Sequence, residues 1–303
     1  MDKAVRHHMG KDIKERVQLT GGYMFETWLL TLAGGQKMVF RSQRDFETGG
    51  GRKIIIAEIL EREKFFYESV NKSAARVCPE VYVVDGTREH HENSFCIMEY
   101  MEGTPLDQCF DGLDPLVRDD IQYRIGKIAA WINKIEIDPG HPYIKERGPW
   151  EAFMADRLRE RLAPLVHNEI ITQAEIDRIA QGMLRQKAAK TLSFLHLDMR
   201  RVNMIYNKGS LYILDAANCE FGDPLFELAV MDVGGELEPS VIAGYKRAGG
   251  DADLNSGLYD YYKMECQALV LNLLMNRVKN DTKSTKIHLE GFSILKDRLL
   301  HHS

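Results

Sequence analysis

The sequence lacks any pairing of cysteines. Cys78, Cys96, Cys109, Cys219 and Cys266 are odd in number, widely spread and free of a C-x-x-C pair. That argues against a zinc site or a disulfide framework and fits a reducing compartment. An apolar signal core is missing from the N-terminus, where His7, His8 and several charges stand, and no uninterrupted apolar run approaches membrane-spanning length. The expectation is a cytoplasmic protein with no membrane partner. A formal net charge of −5 provides no clustered basic footprint, so nucleic acid is not an expected partner. It mildly suits a cationic substrate. Internal repeats are absent, and the only low-complexity tract is Gly49-Gly50-Gly51. What remains is a composition of 44% hydrophobic and 28% charged residues over 303 positions, enough to bury a core in one large or two modest domains.

The chain is organised around residues 194–215. A short apolar strand runs into His196, and Asp198 and Asn203 follow at the spacing H-x-D-x-x-x-x-N. The polar turn Asn207-Lys208-Gly209-Ser210 leads into a second apolar strand that ends on Asp215. Phosphoryl transfer needs such a set. One carboxylate, Asp198, accepts the proton of an attacking hydroxyl, while the Asn203 amide oxygen and the Asp215 carboxylate are hard donors suited to magnesium on nucleotide phosphates. His196 is expected to brace the loop. Arg200, two residues after Asp198, is placed to offset charge on the transferred group. H-x-D with asparagine five residues on also arises by chance, and Asp215 alone could be a turn residue. The hairpin and the second aspartate together favour the site. No D-F-G or A-P-E segment follows, which argues against a protein kinase, and no G-x-S-x-G or histidine cluster supports hydrolysis.

Upstream, Val17 to Gly22 introduces a β-rich segment, Tyr23 to Leu32, and Gly34-Gly35 reads as the turn into Lys37-Met38-Val39-Phe40-Arg41. Gly21 and Gly22 would let backbone N–H groups approach phosphates closely, although a double glycine by itself is commonly just a turn. A polar loop, Ser42 to Lys53, precedes a helix over Ile54 to Val70, whose stripe is Ile56, Ile59, Glu63, Phe66 and Val70. Glu63 therefore sits in an apolar face and requires a partner, for which Arg41 is the obvious cation. Glu58 and Glu61 fall off the stripe. Two further strands, Pro79 to Asp85 and Ser94 to Met101, run into Glu102-Gly103-Thr104-Pro105.

From Asp114 the pattern is helical. Ile121, Ile125, Ile128, Ala129 and Ile132 form a core stripe, and a loop spans His141 to Pro149. Helices are expected over Trp150–Leu165 and Thr172–Ala189, the second opened by the capping box Thr172-Gln173-Ala174-Glu175. Arg157, Arg159, Glu160 and Arg161 read as a solvated face. Asp223 precedes Pro224 as a helix N-cap, and the last helices cover Tyr259–Val278 and Lys286–Leu300. Asp232, Glu236, Glu238, Asp260 and Glu265 are available to attract a cationic acceptor, though each alone reads as surface.

His196-Leu197-Asp198, Asn203, Leu214-Asp215 and Gly222-Asp223-Pro224-Leu225-Phe226-Glu227-Leu228-Ala229 resemble the catalytic region of the aminoglycoside phosphotransferase and choline kinase family. These are small-molecule kinases of the protein-kinase-like fold, with the pattern H-G-D-x-x-x-x-N, a strand ending in I-D, then G-D-P and a helix. The chain departs at Leu197, where the family commonly has glycine, a change that bears on loop conformation. The resemblance implies an α+β, two-lobe fold. Residues 1–101 would form a small antiparallel β-sheet lobe with one helix, 99–106 a hinge, and 102–303 a larger, mainly helical lobe.

It implies transfer of the γ-phosphoryl group of ATP, with GTP as an alternative donor, to a hydroxyl of a small molecule. Aminoglycoside-like, choline-like, sugar and amino-alcohol acceptors all remain open. Arg41 with Glu63 would position the phosphates, the backbone from Glu99 through Met101 to Glu102 would read the purine edge, and Asn203 with Asp215 would hold Mg2+. Helices before the catalytic loop would line the acceptor pocket. The rival from another class is a nucleotide-binding regulator without turnover; a binder has no use for the base Asp198. Oligomeric state is not specified.

Overall fold

The computed structural model describes every residue except 20–24, 45–55, 74–75, 136–146, 190–191, 252, 278–281 and 302–303. In chain order its elements begin with α1 (Asp2–Met9), β1 (Ile13–Leu19), β2 (Phe25–Leu32), β3 (Lys37–Gln43), α2 (Ile56–Ser73), β4 (Val81–Asp85) and β5 (Phe95–Glu99). Then come β6 (Thr104–Pro105), α3 (Leu106–Cys109), α4 (Pro115–Ile132), α5 (Trp150–Val166), α6 (Gln173–Leu184), β7 (Ser193–Leu195), β8 (Met204–Asn207) and β9 (Ser210–Ile213). The chain continues through β10 (Glu220–Gly222), α7 (Pro224–Val233), α8 (Pro239–Arg247), α9 (Gly257–Arg277) and α10 (Thr282–His301). The α+β class expected from the sequence is present.

Two compact units emerge, one of Met1–Leu113 with Arg201–Cys219, the other of Asp114–Arg200 with Glu220–Ser303. The first holds a five-stranded antiparallel sheet in the order β1-β2-β3-β5-β4. Alternation along β2, β3 and β5 sends Leu30, Leu32, Met38, Phe40, Phe95 and Ile97 to one buried face, where Ala4 and Val5 of α1 join them. Neither α1 nor the early start of β1 was anticipated. The expected loop 42–53 and the start of the helix at Ile54 fall largely outside the described residues; α2 runs on to Ser73.

The lobe boundary expected at residues 101–102 falls inside this first unit. There, Thr104 and Pro105 pair with Tyr206 and Ile205 in the three-stranded sheet β6-β8-β9. Gly103 makes the crossing feasible. Its φ is +146°, and a Cβ would lie 2.6 Å from Ile205 Cγ2 and from the Tyr206 carbonyl oxygen.

The second unit is mainly helical, with a two-stranded pairing of β7 and β10. The stripe of α4 is buried as expected. Close crossing of α4 and α8 depends on Gly126 and Gly244, where a Cβ would come within 1.9 Å of the Val241 and Tyr123 carbonyl oxygens respectively. The Thr172 capping box forms, but α6 stops at Leu184, five residues short of the expected Ala189. Asp223 caps α7 by accepting the Leu225 N–H at 2.9 Å.

The reading of Arg157 and Arg161 as solvated is overturned. Both donate to Glu265, at 2.5 and 3.2 Å, and Glu265 is buried rather than at the surface. A carboxylate at that depth persists only with cations beside it. No helix among the described residues is long and apolar enough to cross a membrane.

Candidate active site

In the first unit, α2 and β3 bring together residues far apart in sequence. Glu63 lies on the buried face of α2 and Arg41 on β3, and Arg41 Nη1 donates to Glu63 Oε1 and Oε2 at 2.8 and 3.0 Å. The pair expected from the apolar stripe is formed. Arg41 Nη2 also donates to Asp215 Oδ1 at 3.1 Å, and the guanidinium lies 4.4 Å from the Phe25 ring centroid. Burial opposes the Arg41 charge, but Glu63 and Asp215 outweigh it and hold its pKa well above the usual value. Removing one partner of a buried pair like this strands a charge and costs roughly 3–5 kcal/mol.

Asp215 adopts the left-handed region (φ 58°, ψ 60°), which disfavours a residue with a Cβ by about 1–2 kcal/mol. The surroundings hold it there. The Ala216 N–H donates to Glu63 Oε1 and to the Tyr67 oxygen, both at 3.2 Å, and the Tyr67 O–H donates to Glu63 Oε1 at 2.7 Å. One residue before Glu63 on α2, Arg62 donates to the Ala217 carbonyl at 3.2 Å. Burial, then Glu63, pushes the Tyr67 hydroxyl well above its ordinary pKa, so it acts as a neutral donor and acceptor. Sequence reasoning missed Tyr67, although its i+4 spacing from Glu63 was a usable signal.

Asn203 and Asp215 flank one hairpin. Met204 pairs with Ile213 across β8 and β9, and the Leu214 N–H donates to the Asn203 carbonyl at 2.8 Å. The two expected metal-binding residues are thereby drawn to the same end of the hairpin. The Asp215 side chain is 41% exposed, and only Oδ1 has a partner among the described residues.

The stretch leading to Asp198 belongs to the second unit. Asn133 donates to the Phe194 carbonyl at 2.8 Å and fixes the end of β7. His196 is fully buried, and its Nδ1 accepts the Asp198 N–H at 3.2 Å, a bond within the loop. Leu197 has φ +59°, the left-handed conformation that explains why glycine is common at this position in the resembled family. Leucine is tolerated because two successive N–H groups converge on one carboxylate. Leu197 donates to both oxygens of Glu227 at 3.1 Å, and His196 donates to Oε2.

Glu227 is fully buried. Burial raises its pKa to about 7, the two backbone bonds oppose that rise, and the charge of Asp198 adds to it. Sequence reasoning quoted Glu227 only as part of a motif; a lone carboxylate inside the apolar run Leu225–Met231 was the missed signal. Arg200 grips Asp198 as a fork, Nε on Oδ1 and Nη2 on Oδ2, the latter at 3.0 Å.

The remaining expected residues divide. Gly21 and Gly22 lie outside the described residues. Glu99 ends β5, its backbone N–H donating to the Glu80 carbonyl at 2.8 Å, while its carboxylate takes Arg76 at 2.7 Å and the Glu80 N–H at 3.1 Å. That side chain is committed within the lobe, leaving the backbone beyond it to carry any recognition. Met101 is buried. Among the acids considered for a cationic acceptor, Asp232 takes Lys263 at 2.7 Å and the Tyr259 hydroxyl at 2.8 Å, and Asp260 takes Arg298 at 3.4 Å.

Comparison with curated protein sequences gives no match. Solved structures do match. A protein of Haemophilus somnus 129PT assigned as a fructosamine-3-kinase has a TM-score of 0.70 at 14% identity, over 99% of this chain and 96% of its own. APH(2")-IIa, in a ternary complex with streptomycin and ATP, gives 0.65 at 16% identity, over 91% of this chain and 89% of its own. Macrolide 2'-phosphotransferase MphH from Brachybacterium faecium gives 0.60 at 13% identity, covering 93% and 96%. Identities this low establish a shared fold. The model of the phosphotransferase enzyme family matches residues 15–263, which include Arg41, Glu63, Tyr67, Asp198, Asn203, Asp215 and Glu227. By that match the chain belongs to the phosphotransferase enzyme family.

Proposed function

We propose that this protein transfers the γ-phosphoryl group of a nucleoside triphosphate, ATP or alternatively GTP, to a hydroxyl of a small molecule. The observation that carries the reading is the junction of Arg41, Glu63, Tyr67 and Asp215, a buried cation shared by two carboxylates from separate segments of the chain. A structural ion pair needs only one carboxylate. The second, partly exposed one is explained if Arg41 and Asp215 also serve a ligand. Nucleotides in the similar structures, ATP with streptomycin in one and GDP with kanamycin in another, support a nucleotide donor.

In this reading the Asp198 carboxylate accepts the proton of the acceptor hydroxyl as its oxygen attacks the γ-phosphorus. The acceptor O–H bond breaks, a P–O bond to the acceptor forms, and the β–γ bridging P–O bond breaks to release the nucleoside diphosphate. Arg200 aims Asp198 by gripping both of its oxygens. Arg41 holds phosphate oxygens, and Glu63 keeps Arg41 in place. The backbone from Glu99 to Glu102 binds the base, and Gly21-Gly22 supplies N–H groups to phosphates.

The donor set fits magnesium. No group of three or more His, Cys, Asp and Glu side chains among the described residues makes a metal cage, whereas Asp215 and Asn203 offer two hard oxygens at one hairpin end. An ion that prefers few protein ligands plus phosphates and water suits that pair. Bound there, magnesium would neutralise phosphate charge; Asp215 and Asn203 would be the residues holding it.

The test is nucleoside diphosphate release from ATP and from GTP across a panel of aminoglycosides, macrolides, sugars, choline and amino alcohols, with Asp198→Asn beside the wild type. Stimulation by one class, abolished in the variant, is the expected result. Nucleotide binding without stimulation by any compound would instead favour a regulator.

A further inference from the structure

Tyr67 stands one helical turn beyond Glu63 on α2, so both side chains leave the same face of the helix. Its hydroxyl occupies a junction. It donates to Glu63 Oε1 at 2.7 Å while its oxygen accepts the Ala216 N–H at 3.2 Å, and Glu63 Oε1 accepts that same N–H at 3.2 Å. The next residue back is Asp215, whose left-handed backbone persists only where its surroundings over-determine it. Packing alone does not require this hydroxyl. Phenylalanine would fill the same buried volume and leave the Ala216 N–H with a single acceptor, Glu63 Oε1.

We infer that Tyr67 is a positioning residue whose hydroxyl ties the kink at Asp215 to Glu63 and so couples the phosphate-holding pair to the metal-holding carboxylate. The inference rests on the roles proposed above for Arg41, Glu63 and Asp215. Through Tyr67, anything that orders the Arg41–Glu63 pair also orders Ala216, and with it the aim of Asp215. Binding of nucleotide and binding of metal therefore share one framework, and each strengthens the other. Without the hydroxyl, Glu63 loses a donor, the kink loses one of its two acceptors, and the two ligands bind more independently.

The experiment is calorimetric titration of nucleotide into wild type and Tyr67→Phe, each with and without magnesium. The wild type is expected to bind nucleotide more tightly with magnesium. In Tyr67→Phe that enhancement, the ratio of affinities with and without magnesium, should shrink by roughly tenfold, the scale of one hydrogen bond to a charged group. Equal enhancement in the two proteins would overturn the inference while leaving the functional reading intact. Failure of the wild type to bind nucleotide at all would overturn the reading and the inference together. Should Tyr67→Phe not fold, hydrogen exchange at the Ala216 amide of the wild type decides. Slowing by nucleotide and magnesium together beyond the product of their separate effects supports coupling, and strictly multiplicative slowing overturns it.

Discussion

Each unit of the molecule buries a glutamate beside a left-handed residue of the candidate site, but the two glutamates are compensated differently. Glu63 faces a guanidinium, a phenol and one N–H, and it holds the backbone beyond Asp215. Glu227 has two backbone N–H groups and a neighbouring carboxylate of like charge, and it holds the backbone at Leu197. An ion pair ties its carboxylate to a cation that is never neutral, whereas a carboxylate held by N–H groups alone is free to take up a proton near neutrality. The proton uptake near neutrality thus falls on Glu227, in the second unit.

Substitutions break this comparison in a definite order. Glu63→Ala should be the most disruptive, leaving buried Arg41 with only the exposed Asp215. Chemical unfolding should show a loss of about 3–5 kcal/mol, and nucleotide affinity should fall with it. Glu227→Gln keeps the shape of the side chain but puts an amide N–H where two N–H donors converge. Turnover should drop by roughly 10- to 100-fold, with nucleotide affinity unchanged, because Leu197 is no longer held and Asp198 is misaimed. The wild-type pH–rate profile should show an acid limb near pH 7, where Glu227 protonates. That limb should vanish in Glu227→Gln; its survival would assign it to another group.

The same carboxylate sharpens the comparison through stability. Its folded-state pKa is raised from 4.5 to about 7, so the folded protein binds this proton more tightly than the unfolded chain does. The group's penalty is absent below pH 4.5 and fully present above pH 7, and stability from it falls as pH rises between them. The expected difference is on the order of 3 kcal/mol, read as the change in unfolding free energy between pH 5 and pH 8 that the wild type shows and Glu227→Gln lacks. The smallest effect should come from Thr172→Ala, which removes the α6 capping box at a cost of about 1 kcal/mol and leaves turnover alone.

What was legible in the sequence followed from local rules. The stripe of α2 exposed Glu63 as a carboxylate in need of a cation, and the nearest strand supplied Arg41. The Thr172 box and the Asp223 cap were readable because a cap binds within a few residues of itself. What stayed hidden depended on contacts between distant segments. Arg157 and Arg161 looked solvated because Glu265 lies 104 residues beyond Arg161. Glu227 serves a loop 30 residues before it, at Leu197. Thr104 and Pro105 carry no local sign of their pairing with β8. The α1 helix, only eight residues long and mostly polar, offered little beyond Ala4 and Val5 to mark it as part of the core.

The central claim is a division of labour: Arg41 and its partners hold nucleotide, and Asp198 performs chemistry. The most direct test measures both quantities in two variants, Asp198→Asn and Arg41→Met, by nucleotide titration and by diphosphate release with an acceptor that stimulates the wild type. The account predicts that Asp198→Asn binds nucleotide as the wild type does but turns over at least about a thousandfold more slowly, as expected where a catalytic base is lost from an aligned site. Arg41→Met should lose nucleotide affinity first. If Asp198→Asn lost nucleotide affinity as steeply as turnover, or if Arg41→Met bound nucleotide unchanged, the division would be contradicted.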